Sequence, residues 1–370
     1  DFGDVLFQEP STPVQSGPVV LTGFNGRRAL EIAGPDGLVV TVNGMEMARD
    51  ALTVVDGDAV QLLSTTPADW DTRQSWTVTL GTASDSWTIE TRPECIQGSV
   101  EYPTSGQFSF DPAIRVPEGC RTLVVEAWGA GGASGGNSGN NAGDGGGGGY
   151  TMASTSTVGA LVIRVGGAGQ RNGDGGGRSD VARLATGELI AVAGGGGGGG
   201  SSTHYVGGAA GDGGAGGGTT GQAGGNACAR GGAGGGSSAG GAGGPGCGSH
   251  GVANTGSQGI LLYGGCGGDA GCETSGGGYN GGAAGTSSLG DGGGGGGGLY
   301  GGGGGGKGWH TAGPGGGGGG GSSLGDVTMA GSGRNPGNAD QSAGAGYGGV
   351  GGTLGNQPGT DGRVIIRWAP

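Results

Sequence analysis

The chain has few charged residues and few aromatic ones. Only 12% of its 370 residues are charged, 5% are aromatic, and Lys307 is the single lysine, with a net charge of −13. A protein that binds phosphate backbones carries a basic stripe, which an acidic chain with one lysine cannot form. No apolar stretch approaches the roughly 20 residues that a membrane-spanning helix needs. The sequence therefore predicts neither nucleic-acid binding nor membrane insertion.

Motifs for catalysis and for bound ions are also missing. No C-x2-C pair occurs, and the three histidines have no Asp or Glu at ligand spacing, so a metal cluster is the weaker interpretation. Matches to G-x-S-x-G or G-x-G-x-x-G inside glycine tracts are expected from composition alone. Asp56, Asp58, Asp69 and Asp71 could hold Ca²⁺, but a turn beside a solvated loop is the stronger interpretation. We predict no enzyme activity and no cofactor.

Glycine dominates what is present, with 112 of 370 residues against a typical share of about 7%. Collagen would place Gly at every third position with abundant Pro, whereas this chain has 14 Pro and its Gly comes in runs. Because ordering costs Gly more backbone entropy than any other residue, a flexible linker is the simplest alternative. The four unbroken runs are 194–200, 292–298, 301–306 and 315–321.

An ordered glycine run can form a polyproline-II-type helix with three residues per turn, in which seven residues span roughly 22 Å. Its N–H and C=O groups point outward on three sides and need partners when they are buried. Only Gly lets such helices approach closely enough for main-chain hydrogen bonds between them. We predict that the glycine-rich part of the chain, an insert at about 194–361, is a bundle of polyglycine-II helices. Unbroken runs are expected to be surrounded, and mixed segments such as 211–216 to face solvent on one side.

Residues 17–92 show a β pattern. Strand-sized runs of β-branched residues recur between turn signals such as Asn43-Gly44 and Asp56-Gly57. This spacing predicts an antiparallel sandwich of about seven strands, with Trp76 and Trp87 in its core. The stretch resembles the Ig-like repeats of bacterial surface and phage tail proteins. The matching residues are Val20-x-x-x-Phe24, Val42-Asn43-Gly44, Val55-Asp56-Gly57-Asp58 and Trp87-Thr88-Ile89.

Further strand candidates follow up to residue 193, and one more lies at the end of the chain in GTDGRVIIRW. All five Phe residues precede residue 111, so the glycine insert cannot build an ordinary apolar core. This order resembles the glycine-rich domain of phage tail-fibre and receptor-binding proteins, of bacterial secreted proteins and of an animal receptor tyrosine kinase family. The resemblance covers roughly residues 106–370 and implies a jelly-roll core with inserted polyglycine helices, although very different proteins share it. The matching segments are 116–119, 123–129, 145–150, 161–167, 190–200 and 361–368.

We therefore predict an all-β chain in three parts. Residues 1–16 form an N-terminal arm and linker, and residues 17–97 form the Ig-like sandwich. Residues 98–370 form the glycine-rich domain, a jelly-roll-like β-sandwich that carries the polyglycine-II bundle. Its β-core is expected at about 106–193 plus 362–368, and its insert at about 194–361.

The arm begins with an apolar segment and then reaches Pro10 and Pro13, which favour an extended linker. Its large apolar side chains are poorly suited to lie free in water. The arm is predicted either to add a strand to an exposed sheet edge of another copy or to pack on its own sandwich. The residues concerned are Phe2, Val5, Leu6 and Phe7.

The six cysteines are an even number in a polar chain, which favours disulfides in an oxidising compartment. We predict that Cys95 and Cys120 pair across the junction between the two domains. The insert cysteines are expected to pair among themselves; they are Cys228, Cys247, Cys266 and Cys272. These disulfides predict an extracellular protein, on a secreted cell-surface structure or on a virion.

Aromatic and polar residues stand where glycine runs stop, at predicted loop tips. On a rigid support they are good recognition groups, although capping the bundle is an alternative role. We predict a non-enzymatic structural and adhesive homo-oligomer, a phage tail-fibre or virion-spike adhesin that binds a glycan or protein on a cell surface. The alternatives are a bacterial surface filament whose copies join through the arm, and an ice-binding polyglycine-II protein. The contact candidates are His204, Tyr205, Tyr279, Asn280, Tyr300, Trp309 and His310.

Overall fold

The computed structural model describes residues 1–136, 141–170, 172–202, 208–247, 255–268, 281–285, 290–308, 313–352 and 355–370. The fold is all-β with sandwich-like sheets, as predicted. The chain divides into two compact units: one is Asp1–Ile96 with Pro117–Cys120 and Pro370, and the other is Gln97–Val116 with Arg121–Ala369. Within these described ranges, no helix is long and apolar enough to cross a membrane.

The first unit is built from ten strands in two sheets. One sheet has the order β1-β10-β9-β4-β7, and the other has the order β2-β8-β5-β6, with β3 also paired to β8. A 3-10 helix, Arg49–Ala51, separates β6 from β7. The strands are β1 (Val5–Gln8), β2 (Pro13–Gln15), β3 (Val19–Val20), β4 (Arg28–Ala33), β5 (Val39–Val42), β6 (Met45–Met47), β7 (Thr53–Val54), β8 (Ala59–Thr65), β9 (Arg73–Leu80) and β10 (Ala83–Thr91).

The tryptophans of the first unit form its core, as predicted. Trp76 on β9 is directly opposite Trp87 on β10, and their stacked rings are 5.4 Å apart. Both side chains are fully buried, and the Trp76 indole N–H donates to the Pro35 carbonyl at 2.8 Å. More strands are present than the seven expected, because the arm and β3 add short pairings that are too brief to show a periodic pattern.

The arm is part of this sandwich, which is the second of the two arrangements that the sequence predicts for it. Strand β1 lies parallel to β10, and β2 lies antiparallel to β8 in the other sheet. Phe2 belongs to the core and is only 3% exposed, because its N–H donates to Asp85 Oδ2 and holds the ring inward. Val5 is half-buried, and Leu6 and Phe7 are exposed. The arm therefore packs on its own sandwich.

The second unit contains two further sheets packed on a core that includes Phe110, Leu123, Ile163 and Ile366. The sheet orders are β11-β19-β13-β14-β18 and β12-β15-β16-β17. The last strand of the chain lies between β11 and β13, as the interrupted sandwich predicts. The elements are β11 (Gly98–Tyr102), β12 (Gly106–Phe110), α1 (Pro112–Arg115), β13 (Thr122–Trp128), β14 (Tyr150–Ser156), β15 (Leu161–Val165), β16 (Ser179–Arg183), β17 (Leu189–Ala193), β18 (Val327–Met329), a 3-10 helix (Ala339–Gln341) and β19 (Arg363–Ala369).

Glycine-rich segments leave the second sandwich where its strands end. Gly129 follows β13, Gly166 follows β15 and Gly194 follows β17. We call this the near end of the glycine bundle and the opposite end, beyond Ser202, the far end. Segments 129–136, 141–149 and 172–178 belong to the same bundle. The Gly196 N–H donates to the Ala130 carbonyl, and the N–H groups of Gly146 and Gly176 donate to the carbonyls of Gly197 and Gly196.

Candidate functional site

The run 194–200 is hydrogen-bonded to six other segments. Its N–H groups donate to three of them at N···O distances of 2.7–2.9 Å, and its carbonyls accept from three others. Five of the six segments are met at every third residue of the run, as when Gly195 and Gly198 donate to Gly297 and Gly294. The segments that accept hydrogen bonds from the run are 290–298, 129–136 and 208–217. The segments that donate to it are 141–149, 173–178 and 313–323.

The other three unbroken runs share this environment. Each donates main-chain hydrogen bonds to three segments and accepts them from three, and every residue of the runs is buried. A side chain has no room here: a Cβ built on Gly318 would lie 2.5 Å from the carbonyl carbon of Gly294 and nearer still to its oxygen. Unbroken glycine runs therefore occur where a segment is surrounded on all sides by the main chain of other segments.

Segment 129–136 shows that full enclosure does not demand glycine at every position. It is also hydrogen-bonded to six segments, yet it contains Ala130, Ala133 and Ser134, all of them fully buried. Ala130 and Ala133 are three residues apart and therefore lie on one side of a three-residue repeat. One side of this segment has space for a methyl group, which a count of glycines does not reveal.

Outer segments face solvent at every third residue. In segment 239–247, Ala239, Ala242 and Pro245 are exposed, whereas Gly241 and Gly244 are buried and donate to the run 301–306. The mixed segment 211–216, predicted to face solvent on one side, exposes only Asp212, and Ala215, three residues later, is buried.

Side chains take the place of missing neighbours at the border of the bundle. Asp174 Oδ1 accepts the Ala284 N–H at 3.0 Å, and Asp361 Oδ1 accepts the Ala168 N–H at 2.8 Å. Asn226 Oδ1 accepts the Gly231 N–H at 2.9 Å. These carboxylate and amide oxygens satisfy donors that no further segment could reach.

Two disulfides confirm the predicted pairing of Cys95 with Cys120 and a pairing within the insert. The Cα atoms are 4.6 Å apart in Cys95–Cys120 and 5.8 Å apart in Cys228–Cys247. Both Cys95 and Cys120 belong to the first unit, which includes Pro117–Cys120. Cys266 is also disulfide-bonded, and Cys272 lies outside the described residues.

At the far end, described residues from several segments converge. The Ser202 N–H donates to the Gly136 carbonyl, and the Cys247 N–H donates to the Lys307 carbonyl at 3.2 Å. Lys307 Nζ is 3.9 Å from Asp291 Oδ1, a carboxylate that is almost fully buried. Six of the seven contact candidates lie outside the described residues and stay predictions. They are His204, Tyr205, Tyr279, Asn280, Trp309 and His310.

Tyr300, the seventh candidate, lies at the near end beside an apolar turn. Ile260 and Tyr263 exchange two main-chain hydrogen bonds, and Leu261 pairs with Tyr300 in a β-bridge. Ile260, Leu261 and Tyr263 are 60%, 51% and 39% exposed. Leu262 has a φ of +69°, a conformation that is uncommon for a bulky residue and that this tight turn imposes. We call Ile260–Tyr263 with Tyr300 the near-end patch.

A buried ion cluster holds this turn. Arg178 and Arg164 flank the fully buried Asp180, at 2.9 Å and 2.6 Å between nitrogen and carboxylate oxygen. The Arg178 guanidinium also donates to the Leu262 carbonyl at 2.8 Å. Burial lowers the pKa of Arg178, and the Asp180 carboxylate opposes that effect. Because breaking a buried pair leaves an uncompensated charge, the cluster fixes the turn firmly.

Sequence reasoning missed this patch because it searched only where glycine runs stop. The signal is the tetrapeptide ILLY at 260–263, an apolar stretch between two glycine-rich segments. Those segments have no apolar core that could bury it. Such a stretch is either covered by a neighbour or exposed, and an exposed apolar cluster is informative.

Two of the four aspartates considered for Ca²⁺ accept main-chain hydrogen bonds. Asp56 Oδ1 accepts the Gly23 N–H, and Asp58 Oδ2 accepts the Val55 N–H. The Val55 N–H and the Asn43 amide lower the pKa of Asp58. In the part of the chain that the structure describes, no group of three or more His, Cys, Asp or Glu could hold a metal ion.

No known protein family matches the chain, and no curated protein is significantly similar to it.

Proposed function

We propose that this chain is a non-enzymatic extracellular adhesive protein in which a polyglycine-II bundle serves as a rigid support for contact side chains. The contacts are made with a glycan or protein on a host or neighbouring cell surface. The observation that carries the proposal is the enclosure of four glycine runs, each hydrogen-bonded to six neighbouring segments.

The polyglycine-II interpretation is supported by the three-residue interval between bonds to one neighbour. That interval matches a helix with three residues per turn and no internal hydrogen bonds. None of the residues in the four runs has a positive φ, which is consistent with the left-handed form. Main-chain bonds in three directions make such a bundle stiff without an apolar core.

A stiff support favours recognition because the contact side chains lose little freedom on binding. The near-end patch combines two tyrosines with two exposed aliphatic side chains on a turn that a buried ion cluster holds. Tyrosine gives a large contact area at low entropic cost and can donate or accept a hydrogen bond. The disulfides support an oxidising location, since they are rare in the cytosol.

Binding of the fluorescently labelled full chain to bacterial cells and to immobilised glycans tests the proposal. The variant Leu261→Ser with Tyr300→Ala should raise the apparent Kd at least about tenfold, which corresponds to about 1.4 kcal/mol. Ile114→Ser is the matched control, because Ile114 is 82% exposed on α1 and outside the patch. Both proteins should keep the melting temperature of the parent chain.

The candidates that lie outside the described residues are tested in the same assay with Trp309→Ala. If that variant loses binding and the near-end variant does not, the contacts are made by those candidates and our assignment of the patch is wrong. If the parent chain binds no cell and no glycan at millimolar concentration, the adhesive function itself is wrong.

A further inference from the structure

The first unit contains an N-terminal strand that is held at a sheet edge. Arm strand β1 pairs on one side only, with β10, and its two register pairs, Val5 with Ile89 and Gln8 with Thr91, are separated by an irregularity. The deepest contact of the arm is Phe2, which is 3% exposed among core residues that include Leu30 and Val78. We call this groove, with the edge of β10, the arm seat.

The hinge after β1 is strained in the closed form. Ser11 has a φ of +54°, a left-handed conformation that is strained for a residue other than glycine. Pro10 and Pro13 restrict the residues before them to extended conformations, so the sequence of the hinge favours a straight connection. The closed arm instead turns sharply from one sheet to the other.

Contacts elsewhere keep the turn closed. The Ser11 N–H donates to the Pro67 carbonyl at 3.0 Å, and Thr12 and Thr66 bond to each other. Arg92 forms an ion pair with Glu9 at 2.6 Å. The hinge is therefore a short, strained segment whose closed form depends on a few local bonds, and such hinges favour exchange of the element that they carry.

We propose that the arm of one molecule can occupy the arm seat of a second copy of this chain. The seat accepts the arm through main-chain bonds and a Phe2 pocket, and these contacts are the same whether the arm comes from its own chain or from another. Exchange straightens the hinge and releases its strain, whereas the closed form avoids the entropy cost of association. The exchanged form therefore grows with protein concentration. An exchange that does not close on itself links copies into a chain. This inference does not depend on the adhesive function.

Cross-linking between two chains that each carry one added cysteine tests the exchange directly. One full-length chain carries Val5→Cys and the other carries Ile89→Cys, the two positions that face each other in the arm seat. After incubation together at high concentration and mild oxidation, a disulfide between the two chains forms only if the arm of one occupies the seat of the other. The control is a single chain with both substitutions, which should cross-link within itself when dilute.

Variants of Ser11 test whether strain in the hinge favours exchange of the arm. Ser11→Gly accepts the positive φ without strain and should reduce the fraction cross-linked between chains about threefold or more. Ser11→Pro fixes φ near −65° and removes the bond to Pro67, so it should raise that fraction by a similar factor. Absence of the mixed disulfide, while the doubly substituted chain cross-links within itself, would overturn the proposal. If Ile89→Cys does not fold, the pair Gln8→Cys and Thr91→Cys gives the same test.

Discussion

Replacing Gly318 with valine should destabilise the glycine bundle strongly. Gly318 is in the middle of the run 315–321, and a Cβ there would meet the carbonyl carbon of Gly294 at 2.5 Å and the nitrogen of Gly295 at 2.9 Å. Non-bonded carbon atoms need about 3.5 Å. The run and segment 290–298 must therefore move apart by about 1 Å, even before the two valine methyl groups are accommodated.

That movement breaks the main-chain bonds between the two segments. The Gly293 N–H donates to Gly316 at 2.9 Å, and the Gly296 N–H donates to Gly319 at 2.8 Å. An added 1 Å takes both beyond hydrogen-bond range. Each buried group left without a partner costs about 1–3 kcal/mol, and overpacking adds a similar amount. The expected loss is about 4 kcal/mol or more, and a fall in melting temperature of roughly 10 °C.

Thermal unfolding followed by calorimetry measures this loss, with Ala242→Val as the matched control. Ala242 is exposed on the outer segment 239–247, so the same new side chain meets solvent instead of main chain. Its melting temperature should stay within about 2 °C of the parent value. Equal and small effects of the two valines would refute the reasoning, because they would mean that the run is not enclosed.

Three further predictions concern other parts of the chain. Reducing the Cys228–Cys247 disulfide, which closes a loop over 19 positions, should lower the unfolding free energy by about 3 kcal/mol, and peptide mapping without reductant should recover the linked pair. Trp87→Ala should cost about 3–5 kcal/mol, because a fully buried ring stacked on Trp76 is lost; a smaller loss in denaturant unfolding would count against the tryptophan core. Burial and the Glu126 carboxylate raise the pKa of Tyr150 to about 12. Folding therefore favours the protonated phenol. Its contribution to the free energy of unfolding is complete below about pH 10 and is lost as pH rises towards 12. Tyrosinate absorbance should show a group titrating near pH 12 that Tyr150→Phe removes.

Much of the β architecture could be predicted because strands leave a local signal. Alternating β-branched residues and turn dipeptides gave the strands of both sandwiches, and the terminal strand β19 was recognised although its partner β13 is far away in the chain. The sequence left open whether the arm packs on its own sandwich, because the contact of Phe2 with the core forms only in the folded unit. The short edge strand β18 lies within the predicted glycine insert and was not predicted.

The glycine bundle was predictable in kind but not in arrangement. Steric exclusion links unbroken glycine to enclosure, so the four runs could be recognised as interior segments. Which segment neighbours which is fixed by long-range main-chain bonds, and glycine carries no side chain that records its partners. For the same reason, the burial of Ala130 and Ala133 could not be predicted from the sequence.

The near-end patch depends on an arrangement that no local pattern encodes. Leu261 and Tyr300 are brought together by a β-bridge, and the turn is held by Arg178 from another segment. The apolar letters of the turn are visible in the sequence, but their exposure follows from where the bundle places them.

Amide hydrogen exchange across the glycine runs tests the central claim most directly. If 292–298, 301–306 and 315–321 are enclosed by main-chain hydrogen bonds, their amides should exchange only through unfolding of the bundle. Peptides covering these runs should then remain protected for hours, as strongly as peptides from strand β13. Exchange within seconds, at the rate of an unstructured glycine linker, would contradict the account.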